Sequence, residues 1–181
     1  MTQMLETVNG TAPSPIVAYL ESLLERHTAD RRGEVASYIP ELANADPELF
    51  GICLVTVDGA VYEAGDTRHP FTIQSMSKPL TYGLALELAG ADEVRSRVGV
   101  EPSGDPFNEI SLRPATGTPV NPMINAGAIT CAGLVLNHAD ADDAVGSMLR
   151  TYSAYAGRSL EVDEAVYRSE AGTGHRNCAI A

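Results

Sequence analysis

A two-residue turn, Asp58-Gly59, is the feature that most constrains how this chain can fold. The runs on either side, residues 52–57 and 60–63, are rich in β-prone side chains. An Asp-Gly pair between two such runs is typical of an antiparallel hairpin. A second turn at Gly65-Asp66 leads to a third β-prone run, Phe71–Ile73. The sequence therefore predicts a short sheet, with helical segments before and after it.

The helical segments are predicted from apolar residues at helical spacing and from their start and stop signals. Ser14-Pro15 is a typical helix start, and Gly90 is a typical helix end. Residues 99–122 have no periodicity and predict a long loop. We expect residues 1–13 to be flexible and residues 14–181 to form a single domain. Helices are predicted at 15–27, from 34 to before Pro40, from the segment 74–79 to Leu88, and at 125–137. A further helix is predicted to have Asp140, Asp142 and Asp143 in its first turn.

The composition excludes several classes of function. Asp and Glu number 24 against 12 Lys and Arg, and the net charge of −12 argues against nucleic acid and against an anionic membrane as partners. The N-terminus lacks the pattern of a secretory signal. Three cysteines (Cys53, Cys131 and Cys178) have no paired spacing, which indicates reduced thiols in the cytoplasm. No spacing of histidine or cysteine predicts a metal site, and no cofactor is expected.

The one lysine of the chain, Lys78, follows Ser75 by three residues, whereas the other 11 basic side chains are arginine. Residues three apart lie on the same face of a helix. An arginine keeps its proton, but a desolvated lysine near a helix N-terminus can lose it and act as a base. A base beside the hydroxyl would activate the serine as a nucleophile. Ser75-x-x-Lys78 therefore predicts acyl transfer.

Each residue of this pair also has a structural interpretation. Ser75 could be a helix N-cap, and Lys78 could be a solvated lysine of the first turn. Ser77 is a competing nucleophile, but it is adjacent to Lys78 and so points elsewhere. Penicillin-recognising enzymes share the Ser-x-x-Lys spacing, but they also use a Ser-Asp-Asn type of motif and a Lys-Thr-Gly motif. This chain cannot contain the latter, since its single lysine is already placed.

Longer motifs extend the pattern along the chain: Tyr38-Ile-Pro40, Gln74-Ser-Met-Ser-Lys78, Glu101-Pro-Ser-Gly104, Asn121-Pro-Met-Ile-Asn-Ala-Gly127 and Ser169-Glu170 followed by Gly174-x-Arg-Asn177. In this order they resemble the serine-dependent, β-lactamase-like glutaminases over roughly residues 34–181. The resemblance implies an α+β fold like that of β-lactamases and DD-peptidases, in which helices flank an antiparallel sheet. It also implies hydrolysis of L-glutamine to L-glutamate and ammonia.

The resemblance further implies a role for six residues. Ser75 is the nucleophile and Lys78 its general base, while Tyr38, Asn125, Glu170 and Asn177 join Ser75 in binding glutamine. A carboxylate suits the α-ammonium of an amino acid, and amides and a phenol suit its α-carboxylate. The structural alternatives are helix caps for both asparagines, a packed aromatic for Tyr38 and a surface acid for Glu170.

Family members extend well beyond the position that matches Ala181, so the resemblance predicts a truncated catalytic domain with an incomplete sheet. The family also forms homo-oligomers. Two rival functions stay open at this point: a penicillin-type serine acyl enzyme, and a non-catalytic fragment that binds glutamine.

Overall fold

The computed structural model describes residues 14–106, 111–139 and 143–174. The chain divides between Phe71 and Thr72 into two compact units, each with its own packing. The prediction of a single domain is not tested by this division. The α+β class is confirmed, since the described elements are an antiparallel sheet of two strands, six α-helices and two 3-10 helices.

The described part of the first unit contains one α-helix, one 3-10 helix and the hairpin. Helix α1 (Pro15–His27) begins as predicted, because Ser14 Oγ accepts a hydrogen bond of 3.3 Å from the Ile16 N–H and proline occupies the first turn. Strands β1 (Gly51–Val55) and β2 (Val61–Gly65) pair antiparallel in the register Cys53 opposite Glu63. Helix α1 packs mainly on β2.

The turn of the hairpin lies at the predicted pair. Gly59 has φ +87°, a left-handed conformation that glycine adopts without steric cost. The Thr56 N–H donates to the Ala60 carbonyl oxygen at 3.0 Å and closes the loop. The predicted position of the turn is therefore confirmed, but the loop has three residues, 57–59, and not the predicted two, because only Gly59 has a positive φ.

The helix predicted from Glu34 is wrong. Residues 34–37 have no regular structure, and a 3-10 helix covers Pro40–Asn44 instead. Proline lacks an N–H and has a fixed φ, so it suits the first position of a helix. Pro40 starts a helical turn here, whereas the prediction treated it as a stop.

The second unit is helical among its described residues. Its helices are α2 (Ser77–Ala89), α3 (Ala91–Arg97), α4 (Asn125–His138), α5 (Ala144–Ala156) and α6 (Glu164–Thr173). The core lies where α2, α3 and α4 meet, and it contains Leu84, Ala85, Val94, Val98, Cys131, Leu134 and Val135. Helices α2 and α4 make the most extensive of these contacts, and this packing brings their first turns together.

Two helices of this unit were not predicted. Gly90 ends α2 as expected, but its φ of +81° turns the chain so that α3 begins at the next residue. Helix α6 begins after Asp163, whose carboxylate accepts hydrogen bonds from the Ala165 and Val166 N–H groups. Asp143 is the N-cap residue of α5; Asp140 and Asp142 lie outside the described residues.

No helix in the described part of the chain has the length and apolar character needed to cross a bilayer. Within the same residues, no group of three or more His, Cys, Asp or Glu side chains is arranged to hold a metal ion. Cys53 is an exposed free thiol and Cys131 is a buried one. Cys178 lies outside the described residues.

Candidate active site

The segment that leads into Ser75 is a tight turn, so the predicted third strand at Phe71–Ile73 is wrong. Ile73 already has helical angles, φ −62° and ψ −29°, and the 3-10 turn Gln74–Met76 follows it directly. Gln74 has φ +44°, and it is the only non-glycine residue of the described part with a positive φ. Such a conformation costs about 1–3 kcal/mol and is found mainly at functional turns.

Ser75 and Lys78 lie in one uninterrupted helical run, because the 3-10 turn Gln74–Met76 continues into α2 at Ser77. Their separation of three residues puts both side chains on the same face of this run. Ser75 is an exposed residue. Neither residue is an N-cap: Ile73 precedes the 3-10 turn, and Met76 precedes α2 without a side-chain cap bond.

Ser77, the rival nucleophile, is engaged within the turn. Its Oγ donates a hydrogen bond of 2.7 Å to the Gln74 carbonyl oxygen. Its own carbonyl oxygen accepts a bond of 2.9 Å from Thr81 Oγ1. A hydroxyl that already donates to a backbone carbonyl is a poorer nucleophile than an open one, which favours Ser75.

Lys78 reaches from the first turn of α2 to the start of α4. Its Nζ donates to Asn125 Oδ1 at 2.7 Å and to the Met123 carbonyl oxygen at 3.0 Å. Both of these acceptors are neutral. Burial lowers the pKa of the Lys78 amine, because desolvation penalises the ammonium form. Two neutral acceptors and a lowered pKa are the conditions in which a lysine can serve as a base.

Asn125 is the first residue of α4 and not its cap, so the structural alternative of an N-cap does not apply. Asn121 instead closes the turn before the helix, since its Oδ1 accepts hydrogen bonds from the N–H groups of Met123 at 2.9 Å and Ile124 at 3.2 Å. The Asn125 side chain is thereby left to meet Lys78. The sequence analysis did not predict the turn formed by Asn121 or the hydrogen bond from Lys78 to the Met123 carbonyl oxygen. The Asn121-Pro122 pair could have indicated the turn, since Asn-Pro favours one.

A close backbone contact holds the start of α4 against the turn before it. A Cβ on Gly127 would lie only 1.9 Å from the Asn121 carbonyl oxygen. Only glycine fits at that distance. The absence of a side chain at Gly127 therefore lets the turn at Asn121 lie against the first turn of α4.

Two of the other predicted site residues, Tyr38 and Glu170, lie within the described part of the chain. Tyr38 is 68% exposed and belongs to the first unit. Glu170 is exposed on α6. Asn177 lies outside the described residues. A hydrogen bond thus joins Lys78 to Asn125, and the glutamine-binding roles of Tyr38, Glu170 and Asn177 stay predictions.

A cleft lies at the C-terminal ends of α2 and α4, opposite to the ends that carry Lys78 and Asn125. It is lined by Leu88, His138, Ala139, Asp143, Ser147 and Arg150. Arg150 forms an ion pair with Asp143 at 2.7 Å, and His138 Nε2 lies 3.2 Å from Glu93 Oε1. Leu88 is ten residues beyond Lys78, about 15 Å along a helix. This cleft is therefore separate from the serine and lysine.

Comparison with protein families gives one match of long extent. The family model described as Glutaminase matches residues 33–181. Among curated relatives, Glutaminase 1 of Bradyrhizobium diazoefficiens is 55% identical over 166 residues, which is 92% of this chain and 27% of the relative. The Glutaminase of Trichormus variabilis is 47% identical over 169 residues, 93% of this chain and 50% of the relative. The chain thus spans about a quarter to a half of these relatives.

Solved structures agree with the sequence comparison. A structure of Mglu in its tris and glutamate form has a TM-score of 0.86 and 43% identity, covering 93% of this chain and 38% of that one. A probable glutaminase from Bacillus subtilis, complexed with 6-diazo-5-oxo-L-norleucine, has a TM-score of 0.77 and 31% identity, covering 98% of this chain and 53% of that one. The described elements therefore form the corresponding part of that β-lactamase-like fold.

Proposed function

The chain belongs to the glutaminase family, and we propose on that basis that the intact protein hydrolyses L-glutamine to L-glutamate and ammonia. The observation that carries the proposal is the partially buried Lys78, held by the neutral oxygens of Asn125 and Met123, three residues after an exposed serine. The family match and this geometry support the same chemistry from independent directions.

The proposed reaction begins with proton transfer. The neutral amine of Lys78 takes the proton of Ser75 Oγ, and the oxygen attacks the side-chain amide carbon of glutamine. The carbonyl oxygen becomes an oxyanion, to which the Ser75 N–H donates. The Lys78 ammonium then returns its proton to the amide nitrogen, the carbon–nitrogen bond breaks, and ammonia leaves a glutamyl ester on Ser75.

Water completes the cycle by the same route. The Lys78 amine accepts a proton from water as the water oxygen attacks the ester carbon. Collapse of the second tetrahedral intermediate breaks the bond to Ser75 Oγ, which recovers a proton from Lys78. L-glutamate is released and both residues return to their initial state. All proton transfers use a single amine, so the lowered pKa of Lys78 serves both half-reactions.

The proposed recognition of glutamine rests on complementary charge. Asn125 Oδ1 is occupied by Lys78, so its amide N–H groups are available to the α-carboxylate of the substrate. Glu170 would pair with the α-ammonium, and Tyr38 and Asn177 would add hydrogen bonds to the carboxylate. Relatives bound to glutamate and to 6-diazo-5-oxo-L-norleucine support a site for a free amino acid.

We further propose that the protein works in the cytoplasm as a homo-oligomer. The free thiols of Cys53 and Cys131 support a reducing compartment, and the family resemblance supports the oligomer. Light scattering on the intact protein would give the oligomeric state, and cell fractionation would give the compartment.

The test of the proposed function is ammonia release from L-glutamine by the intact protein and by two variants. Ser75→Ala and Lys78→Arg should each abolish turnover, the first by removing the nucleophile and the second by replacing a titratable amine with a guanidinium. Ser96→Ala, which removes an exposed hydroxyl from α3, is the matched control and should keep full activity. Near-normal turnover by Lys78→Arg would show that Lys78 is not the base.

Two other results would favour the rival functions. Covalent labelling of Ser75 by a penicillin, without ammonia release from glutamine, would favour a penicillin-type acyl enzyme. Glutamine binding in calorimetry without turnover would favour a binding protein. Alkylation of Ser75 by 6-diazo-5-oxo-L-norleucine with loss of dinitrogen, absent in Ser75→Ala, would support the proposal.

A further inference from the structure

The hydroxyl of Ser77 is hydrogen-bonded to the peptide group that joins Gln74 to Ser75. Ser77 Oγ donates to the Gln74 carbonyl oxygen at 2.7 Å, and the Ser77 N–H donates to the same oxygen. One carbonyl therefore accepts two hydrogen bonds from one residue. The nitrogen of this peptide group belongs to Ser75, the residue in the position of the nucleophile.

Holding the carbonyl also fixes the direction of the Ser75 N–H. The peptide group is planar, and every peptide bond of the described residues is trans, so the N–H points opposite to the C=O. The Gln74 carbonyl points forward along the helix toward Ser77. The Ser75 N–H consequently points backward, out of the N-terminal end of the turn, where N–H groups have no acceptor within the helix.

This peptide group needs such a restraint because the backbone before it is strained. Gln74 has φ +44°, a conformation that side-chain-bearing residues rarely adopt. A relaxed Gln74 would rotate the following peptide group and turn the Ser75 N–H away. Two hydrogen bonds on the carbonyl oppose that rotation, and they also polarise the N–H into a better donor.

Ser77 is itself held by contacts from deeper in the unit. Its carbonyl oxygen accepts from the buried Thr81 Oγ1 at 2.9 Å. Because that bond uses the single proton of the threonine hydroxyl, Tyr152 OH donates to Thr81 Oγ1, across 2.5 Å. A chain of hydrogen bonds thus runs from α5 through α2 to the turn.

We infer that Ser77 is a positioning residue, whose hydroxyl orients the Gln74–Ser75 peptide so that the Ser75 N–H donates to the oxyanion. The inference rests on the proposed function, since it names the group that aligns one donor of the same site. Ser77 thus has a role in this motif that does not require it to act as a nucleophile.

The test compares Ser77→Thr with Ser77→Val in the intact protein. The two side chains have nearly the same shape, and only threonine keeps the hydroxyl. Removing an oxyanion donor outright costs roughly 100- to 1,000-fold in kcat, and misorienting one costs less. We expect Ser77→Val to lose roughly tenfold in kcat with KM for glutamine unchanged, and Ser77→Thr to stay near wild type.

The pH profile separates this role from an effect on Lys78. The acidic limb of kcat should stay where it is in the wild type, because the base is untouched. A Ser77→Val variant with wild-type kcat would overturn the inference. A rise in KM for glutamine by the same factor as the fall in kcat would also overturn it. A melting temperature of Ser77→Val well below that of Ser77→Thr would assign the hydroxyl to folding and overturn it too. Absence of ammonia release by the wild type would instead refute the proposed function.

Discussion

Replacing Asn125 with aspartate tests the base role of Lys78 through kcat, while the loss of the amide N–H groups proposed to bind the substrate would raise KM. Asn125 Oδ1 lies 2.7 Å from Lys78 Nζ, and aspartate has the same shape as asparagine. A carboxylate at that distance stabilises the ammonium, which raises the pKa of Lys78 and opposes the effect of burial. A base that holds its proton more tightly is less available at neutral pH.

The size of the effect follows from the distance. Two unit charges 2.7 Å apart attract by about 1.5 kcal/mol in bulk water and by about 6 kcal/mol at an effective dielectric constant near 20. Lys78 is only partly buried, so the lower part of this range applies. Each 1.4 kcal/mol changes the fraction of neutral amine about tenfold. We therefore expect kcat near pH 7 to fall roughly 10- to 100-fold in Asn125→Asp.

The assay is the pH dependence of kcat for ammonia release, because kcat reports groups in the enzyme–substrate complex. The acidic limb should move to higher pH in Asn125→Asp, so that activity recovers in alkaline buffer. Asn137→Asp is the control: it makes the same change in the last turn of α4, about 18 Å along the helix and beyond the screening length. An acidic limb that stays in place in a folded Asn125→Asp variant would refute the reasoning.

Two pairs of variants test the backbone of the site through urea denaturation. Gly127→Ala should lower the free energy of unfolding by about 1–3 kcal/mol, because its Cβ meets the Asn121 carbonyl oxygen. Gly133→Ala, with open space around it in the same helix, should raise the free energy of unfolding by about 0.5–1 kcal/mol. Equal denaturation midpoints for the two variants would contradict the close contact. Gln74→Gly should be at least as stable as Gln74→Ala, because only glycine relieves the strain at φ +44°. This order is the reverse of the usual preference for alanine over glycine. A clearly more stable alanine variant would contradict the strain.

Local signals predicted the elements that carry the site. The Ser14-Pro15 start, the Asp58-Gly59 turn and the stop at Gly90 all lie where the sequence puts them. Each of these signals acts within a few residues, through a cap, a positive φ or a fixed φ. The helix from Asn125 is likewise confirmed, and it ends at His138, one residue later than predicted.

The errors arose where a local signal admits two outcomes. Pro40 fits the start of a helix as well as the end of one, and Gly90 can end a helix and begin the next. Phe71–Ile73 is β-prone, but the chain turns at Ile73 toward Ser75 before a strand is formed. Propensity did not indicate that turn, since nothing in the side chains of residues 71–73 favours helical angles.

The site was predictable in one part and not in another. The separation of Ser75 from Lys78 is local, so helical geometry alone places both on one face. The contact between Lys78 and Asn125 spans 47 residues, and it depends on the packing of α2 against α4. Only the family resemblance pointed to Asn125, because its residue type and position fit a helix cap equally well.

The packing explains why the one lysine of the chain stands where it does. Lys78 lies in the first turn of α2 and bonds to the first residue of α4, so two helix N-termini, each with partial positive charge, meet at its amine. Such a place disfavours a fixed cation, and burial disfavours it further. The same place favours a developing negative charge on a substrate. An arginine would keep its charge there, whereas a lysine can yield its proton to the reaction and take it back.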